Sequence, residues 1–303
     1  MAVLPSEARS PGEARSTDAH GRAHRSDVVF STYGGFRSEC HTVNHPDPAG
    51  VILLLGGAFQ RKESWGRLAS LLGKTFTLIT ADLPGWGTAD LLPDSYSIDF
   101  LADSLHALMT AAGHRRFHVF GGSYSSAIAY RYAQKHPETV GSLALTGTTR
   151  RMTDQMRRTL EHCLAVLADK QPDQFAEFIV NILLNGLPVG KRGRQAAVRR
   201  ILTDLFRTAP QDQIQKFEHN TRRLLARPLY YPAPPMTVPA LVMTGQYDSF
   251  TPPELGQELA MTCCNSAFLV LRDAGHAVHL EVPNELADLL TRFFTGQPID
   301  DLP

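Results

Sequence analysis

What this chain lacks narrows its function first. It has four cysteines in 303 residues, Cys40, Cys163, Cys263 and Cys264. That is too few for a disulfide scaffold, and the adjacent Cys263 and Cys264 are poorly placed to bridge each other. Reduced thiols and a cytoplasmic location are the expectation. The chain carries no net charge, with 30 Lys and Arg against 30 Asp and Glu. A global attraction to nucleic acid or to an anionic membrane is therefore absent. No stretch is apolar and uncharged over the length of a bilayer, and the N-terminus has no apolar segment ending in a small-residue cleavage site. There is no internal repeat. Its 303 residues are enough for one large α/β domain or two smaller ones, and the 43% hydrophobic content allows a sizeable core.

Residues 1–26 are rich in Ala, Arg, Ser, Gly and Glu; beyond Met1 their only large apolar residues are Val3 and Leu4. A disordered tail is expected; Glu7, Glu13 and Asp18 argue against an organelle transit peptide. From Asp27 onward strands and helices alternate. Asp27 to Tyr33 and Phe36 to Val43 read as a strand pair turned at Gly34-Gly35. Val51 to Leu55 is a continuous apolar run, the signature of a strand buried on both faces. Phe76 to Ala81, Phe117 to Phe120, Ser142 to Leu145, Ala240 to Met243 and Ala267 to Leu271 are further strands, with helices over Ser64 to Leu72, around Ile98 to Ala112 and over Asn284 to Phe294. Between Arg150 and Arg227 only helical periodicity is visible, and Pro228 to Pro239 is a proline-rich connector. The pattern predicts an α/β fold: a mostly parallel central sheet with helices on both faces, built from 27–149 and 236–303, and an all-helical lid over 150–235. Such a lid would sit over the carboxyl ends of the strands, where these sheets bind ligands.

The most informative residue is Ser123, in Gly121-Gly122-Ser123-Tyr124-Ser125. It stands at a small-residue corner between an apolar strand and a helical pattern. A hydroxyl there is exposed, with helix N-terminal N–H groups beside it to receive an oxyanion. A helix N-cap serine would look the same. Two later segments also follow strands: Gly245-Gln246-Tyr247-Asp248-Ser249-Phe250-Thr251-Pro252, and Asp273-Ala274-Gly275-His276-Ala277-Val278-His279. Asp248 could simply cap the next helix. His276 and His279 have the spacing of a metal pair, but no carboxylate or cysteine set accompanies them, so no metal and no cofactor is expected.

Taken together, from Asp27 to Phe294, these segments resemble the α/β-hydrolase fold superfamily. The resemblance implies a nucleophile, acid and base in the chain order Ser123, Asp248, His276. It implies backbone oxyanion donors at Tyr124 and in the loop Gly56-Gly57-Ala58-Phe59, with Ala58 N–H as the donor. Two positions depart from the family pattern. Ser125 stands where the elbow has glycine, which predicts some crowding between strand and helix. Gly56 stands where the family usually has a histidine that braces the loop. Asp82 to Gly87 also resembles a family turn and is given a structural role. Gly57, Phe59, Trp86, Phe178 and Ile182 are expected to line the substrate pocket. The lack of a Gly-Gly-Gly run after Val51 to Leu55 points away from a lipase-like subgroup.

Serine at the elbow points to acyl chemistry on an ester, thioester or lactone of small-molecule metabolism. Two other readings stay open: a lyase that expels the acyl group as a carboxylate, and a non-catalytic ligand receptor of the same fold. Residues 150–227 carry fifteen Lys and Arg against eight Asp and Glu. This is either a solvated helical face or a dock for an acidic partner such as an acyl carrier protein or a coenzyme A thioester.

Overall fold

The computed structural model describes residues 12–17, 23–169, 171–184 and 193–299. Among the described residues nine strands form one sheet: β1 Gly12–Thr17, β2 Ala23–Tyr33, β3 Phe36–Val43, β4 Val51–Leu55, β5 Thr77–Asp82, β6 Phe117–Gly122, β7 Val140–Thr146, β8 Ala240–Gly245 and β9 Ser266–Leu271, in the order β1-β2-β3-β5-β4-β6-β7-β8-β9. The first three strands and the β3–β5 pair are antiparallel; every other pair is parallel. One expectation needs correction. Gly12–Thr17 lies in the segment read as a disordered tail, yet it pairs with β2 as an edge strand. The rest of that tail before Ala23, residues 1–11 and 18–22, lies outside the described residues.

The side chains of β4 alternate between two cores, as a two-residue period requires. Leu53 and Leu55 pack with Leu101, Leu105 and Leu108 of helix α2 (Ile98–Ala111) and Ile128 of α3 (Tyr124–Lys135) on one face. Ile52 and Leu54 pack on the other face. Their neighbours are Leu68 and Leu72 of α1 (Gly66–Leu72) and Leu286 and Leu290 of a C-terminal helix, Pro283–Phe294. Both faces of β4 are dry, which is why its sequence is an unbroken apolar run.

Between β7 and β8 the described residues form four helices, α4 Asp154–Ala168, α5 Pro172–Leu184, α6 Gly193–Arg207 and α7 Gln211–Ala226. They enclose a third apolar cluster with Phe59 at its centre: Phe59 stacks on Phe217 at 4.6 Å and meets Phe206 edge-on at 5.2 Å. After β8 come α8 (Pro253–Ala260), α9 (Val278–Glu281) and α10 (Pro283–Phe294).

The chain leaves β4 toward β5 on one side and returns to β6 on the other. Such a reversal opens a crevice at the carboxyl ends of the two flanking strands. The loop from Gly56 follows β4 and Ser123 follows β6, so topology alone brings them together.

Candidate active site

Ser123 sits between β6 and α3 with φ 53° and ψ −121°. Non-glycine residues rarely adopt that left-handed region, and it turns the hydroxyl out of the strand–helix corner. The close approach that permits the corner falls on Gly121, where a Cβ would lie 2.8 Å from Ala129 Cβ. Ser125 does not crowd the elbow as expected. Its buried hydroxyl donates to Leu55 O at 2.5 Å and accepts from Gly122 N–H at 3.1 Å, fastening the turn to the end of β4.

Three side chains from distant segments meet here. Ser123 Oγ lies 2.8 Å from His276 Nε2, and His276 Nδ1 lies 2.7 Å from Asp248 Oδ2. Asp248 accepts three more hydrogen bonds, from Phe250 N–H at 3.0 Å, Thr251 N–H at 2.9 Å and Thr251 Oγ1 at 2.7 Å. A carboxylate that only accepts requires the proton on Nδ1, which leaves Nε2 free to accept from the serine hydroxyl. Burial works against an imidazolium at His276. The charge of Asp248 and its hydrogen bond, with a contribution from Glu281, outweigh that, so its pKa stands above the ordinary imidazole value.

The loop that carries His276 is held on both sides. Glu281, buried, accepts from Gly275 N–H and Ala277 N–H, each at 3.0 Å. His276 N–H itself donates to Leu183 O, at the end of α5, at 3.1 Å. His279 does not join His276 as a metal pair. Both ring nitrogens of His276 are engaged as described, and His279 Nε2 lies 3.0 Å from Gln60 Nε2. Burial, with His276 nearby, pushes the His279 pKa down to about 4; the ring is neutral and accepts from Gln60.

A cavity of about 350 Å³ opens on Ser123 and His276. Of the residues expected at the pocket, Gly57, Phe59 and Ile182 line it, beside Ala58 and Tyr124, the residues given the oxyanion donors. Two expected residues do not. Phe178 turns to a smaller cavity of about 270 Å³ and packs edge-on against His162. Trp86 is 5% exposed beneath the cavity floor, edge-on to Tyr124 at 4.9 Å, with Nε1 donating to Gly57 O at 3.1 Å. Met156, Leu160, Ile179, Leu202 and Leu224 complete much of the wall, and among the described lining residues there is no Asp, Glu, Lys or Arg.

Sequence reasoning missed Gln60, Thr251 and Glu281. Thr251 had a local signal, a hydroxyl three residues after an Asp at a turn. Gln60 and Glu281 had none: Gln60 is placed by Gly57 N–H and by the distant His279 ring, and Glu281 by the N–H groups of Gly275 and Ala277.

The basic insertion is also less free than its composition suggests. Arg223 is fully buried and donates to Leu92 O, Pro93 O and Tyr96 O, to Tyr124 Oη and to Asn220. Lys216 Nζ donates to Gly87 O at 2.7 Å, Arg157 to Leu225 O and Arg227 to Ser95 O. Lys170, Lys191 and Arg192 lie outside the described residues.

A strained serine after β6, an imidazole and carboxylate after β9 and β8, and a helical insertion over the strand ends define an α/β hydrolase architecture. A family model described as alpha/beta hydrolase fold matches residues 50–283, and the chain belongs to that family. It is 27% identical over 294 residues to a monoacylglycerol lipase of Xenopus laevis, covering 91% of this chain and 84% of that protein. It is 27% identical over 254 residues to a pimeloyl-[acyl-carrier protein] methyl ester esterase of Neisseria meningitidis serogroup B, covering 83% of this chain and 95% of that protein. Among solved structures it resembles an α/β hydrolase enzyme, MGS-M2, from a Medee basin deep-sea metagenome library. That match has TM-score 0.78 and 18% identity, and spans 90% of this chain and 99% of the other.

Proposed function

We propose that this protein is a serine hydrolase that cleaves esters of uncharged, largely apolar acyl groups through an acyl-enzyme. The observation that carries the reading is the Asp248–His276–Ser123 relay opening directly on the apolar cavity. His276 Nε2 takes the Ser123 proton as Oγ adds to the carbonyl carbon, and Ala58 N–H and Tyr124 N–H receive the oxyanion. His276 then passes the proton to the leaving alcohol. Water repeats the sequence on the acyl-enzyme: His276 takes one of its protons, and the carboxylic acid leaves Ser123 as His276 returns the proton to Oγ. Thioesters and lactones fit the same steps.

Substrate class follows from the wall. A carboxylate buried beside these residues would find no cation among the described lining side chains, and an unpaired buried charge is strongly disfavoured. The names of the two relatives, a monoacylglycerol lipase and a methyl ester esterase, agree with an ester substrate. The second of these favours a carrier-bound acyl group as a variant. Against a broad electrostatic dock, several insertion cations are spent on internal carbonyls.

The test is labelling by a fluorophosphonate together with turnover of p-nitrophenyl esters from acetate to octanoate. The wild type should label, and Ser123→Ala should not and should lose turnover by more than ~10³. Rates per KM should rise with acyl length, as each buried methylene is worth up to about 0.8 kcal/mol, and an ester whose acyl end bears a free carboxylate should react poorly. A Ser123→Ala variant with near-normal turnover rejects the nucleophile. A preference for the acid-bearing ester rejects the substrate class. Oxygen-18 from water should enter the released acid; its absence rejects hydrolysis.

A further inference from the structure

Resting on the reading of Ser123 as nucleophile and Ala58 N–H as oxyanion donor, we infer that Trp86 is a positioning residue for the oxyanion hole. It acts through the Gly57–Ala58 peptide.

The loop after β4 needs an external brace. At Gly57 a Cβ would lie 3.0 Å from Ser123 Cβ, so glycine is what lets the backbone pass so close to the nucleophile. The same glycine leaves that backbone with the greatest conformational freedom. Gly56 is bare as well, and a Cβ there would lie 2.5 Å from Gln60 Cβ. The space a bracing side chain would occupy at residue 56 is filled by Gln60.

Gly57 is pinned at both ends. Its N–H donates to Gln60 Oε1 at 2.7 Å, and the far end of Gln60 is held by His279. Its carbonyl accepts from Gln60 N–H at 3.2 Å and from Trp86 Nε1 at 3.1 Å. In a planar trans peptide the C=O of one residue and the N–H of the next point in opposite directions. Fixing the direction of Gly57 O therefore fixes the direction of Ala58 N–H. Gly57 N–H is already engaged, which leaves Ala58 to serve the oxyanion.

Trp86 reaches the second donor residue too. Its ring meets the Tyr124 ring edge-on, at 4.9 Å and 73°. The indole is itself held by a rigid turn. Asp82 accepts from Lys62 N–H, Lys62 Nζ and Thr88 N–H, and Gly87 O receives Lys216 Nζ from α7. A buried indole N–H usually finds an acceptor; here the acceptor is the carbonyl that shares a peptide with the proposed oxyanion donor.

The experiment separates this role from packing. Trp86→Phe keeps an aromatic ring against Tyr124 and deletes the N–H. Replacing Trp86 with β-(3-benzothienyl)alanine substitutes sulfur for the N–H at nearly unchanged volume, which covers the case in which the phenylalanine variant folds poorly. With active sites counted by fluorophosphonate, kcat should fall by about tenfold, with KM unchanged; the estimate takes one lost hydrogen bond as worth about a factor of ten and a lost oxyanion donor as worth more. Affinity for a trifluoromethyl ketone, which forms a tetrahedral oxyanion on the serine, should fall by the same factor. Either replacement with wild-type kcat and ketone affinity overturns the proposal, as does a lower kcat with unchanged ketone affinity. Failure of the underlying reading is distinct: Ser123→Ala would then stay active whatever happens at Trp86.

Discussion

The backbone N–H of His276 donates to Leu183 O, so the helical insertion holds the residue read here as the catalytic base. A cover that merely shielded the cavity would have no such contact. Closing over the strand ends and aiming the imidazole are one structural act in this protein.

Glu281 should matter for the same reason. It binds the two N–H groups that flank His276, and among the described residues no other partner is in place for either. Glu281→Ala would leave two buried donors orphaned, at about 1–3 kcal/mol each, and would free the loop. We expect a clearly lower melting temperature and a kcat reduced by about 10², with Glu281→Gln intermediate because its amide offers one acceptor oxygen. Thermal melts beside kcat measurements check this; an alanine variant with unchanged kcat removes Glu281 from any positioning role.

The pH profile carries a sign. The base must be neutral to take the Ser123 proton, and Asp248 holds the His276 pKa above 6.5. Activity should therefore be full on the alkaline side and fall as pH drops through that raised value. Asp248→Asn removes the charge responsible, so its acid limb should move to lower pH while kcat falls by up to about 10⁴. Measuring kcat/KM against pH for both proteins decides it: an acid limb that stays in place in Asp248→Asn contradicts the assignment.

Arg223 is expected to be a stability residue and a poor candidate for partner docking. Its guanidinium satisfies three carbonyl oxygens of residues 92–96. Arg223→Met keeps the length and strands those acceptors, costing about 3 kcal/mol or more. Arg223→Lys should not restore it, since an ammonium cannot span the same fork. Denaturant titration of the three proteins is the measurement.

The core was legible because burial on both faces writes an unbroken apolar run such as Val51 to Leu55. The three site segments were legible because each sits at a strand end within one short window. What escaped notice depends on contacts between windows. Gly12–Thr17 has no apolar alternation and becomes a strand only by pairing with β2. Trp86 reads as a pocket aromatic until its N–H finds Gly57 O. Lys216 and Arg223 read as surface charge because the carbonyls that take them lie about 130 positions away along the chain. Phe178 has the right helical spacing for the pocket but faces the neighbouring cavity.

The left-handed backbone at Ser123 means that this fold is not built for greatest endurance at the point where it works. Glycine in that position would relax the turn and remove the hydroxyl we propose as the nucleophile, so Ser123→Gly should melt higher than the wild type while losing turnover. Selection for ruggedness alone would then erode the activity.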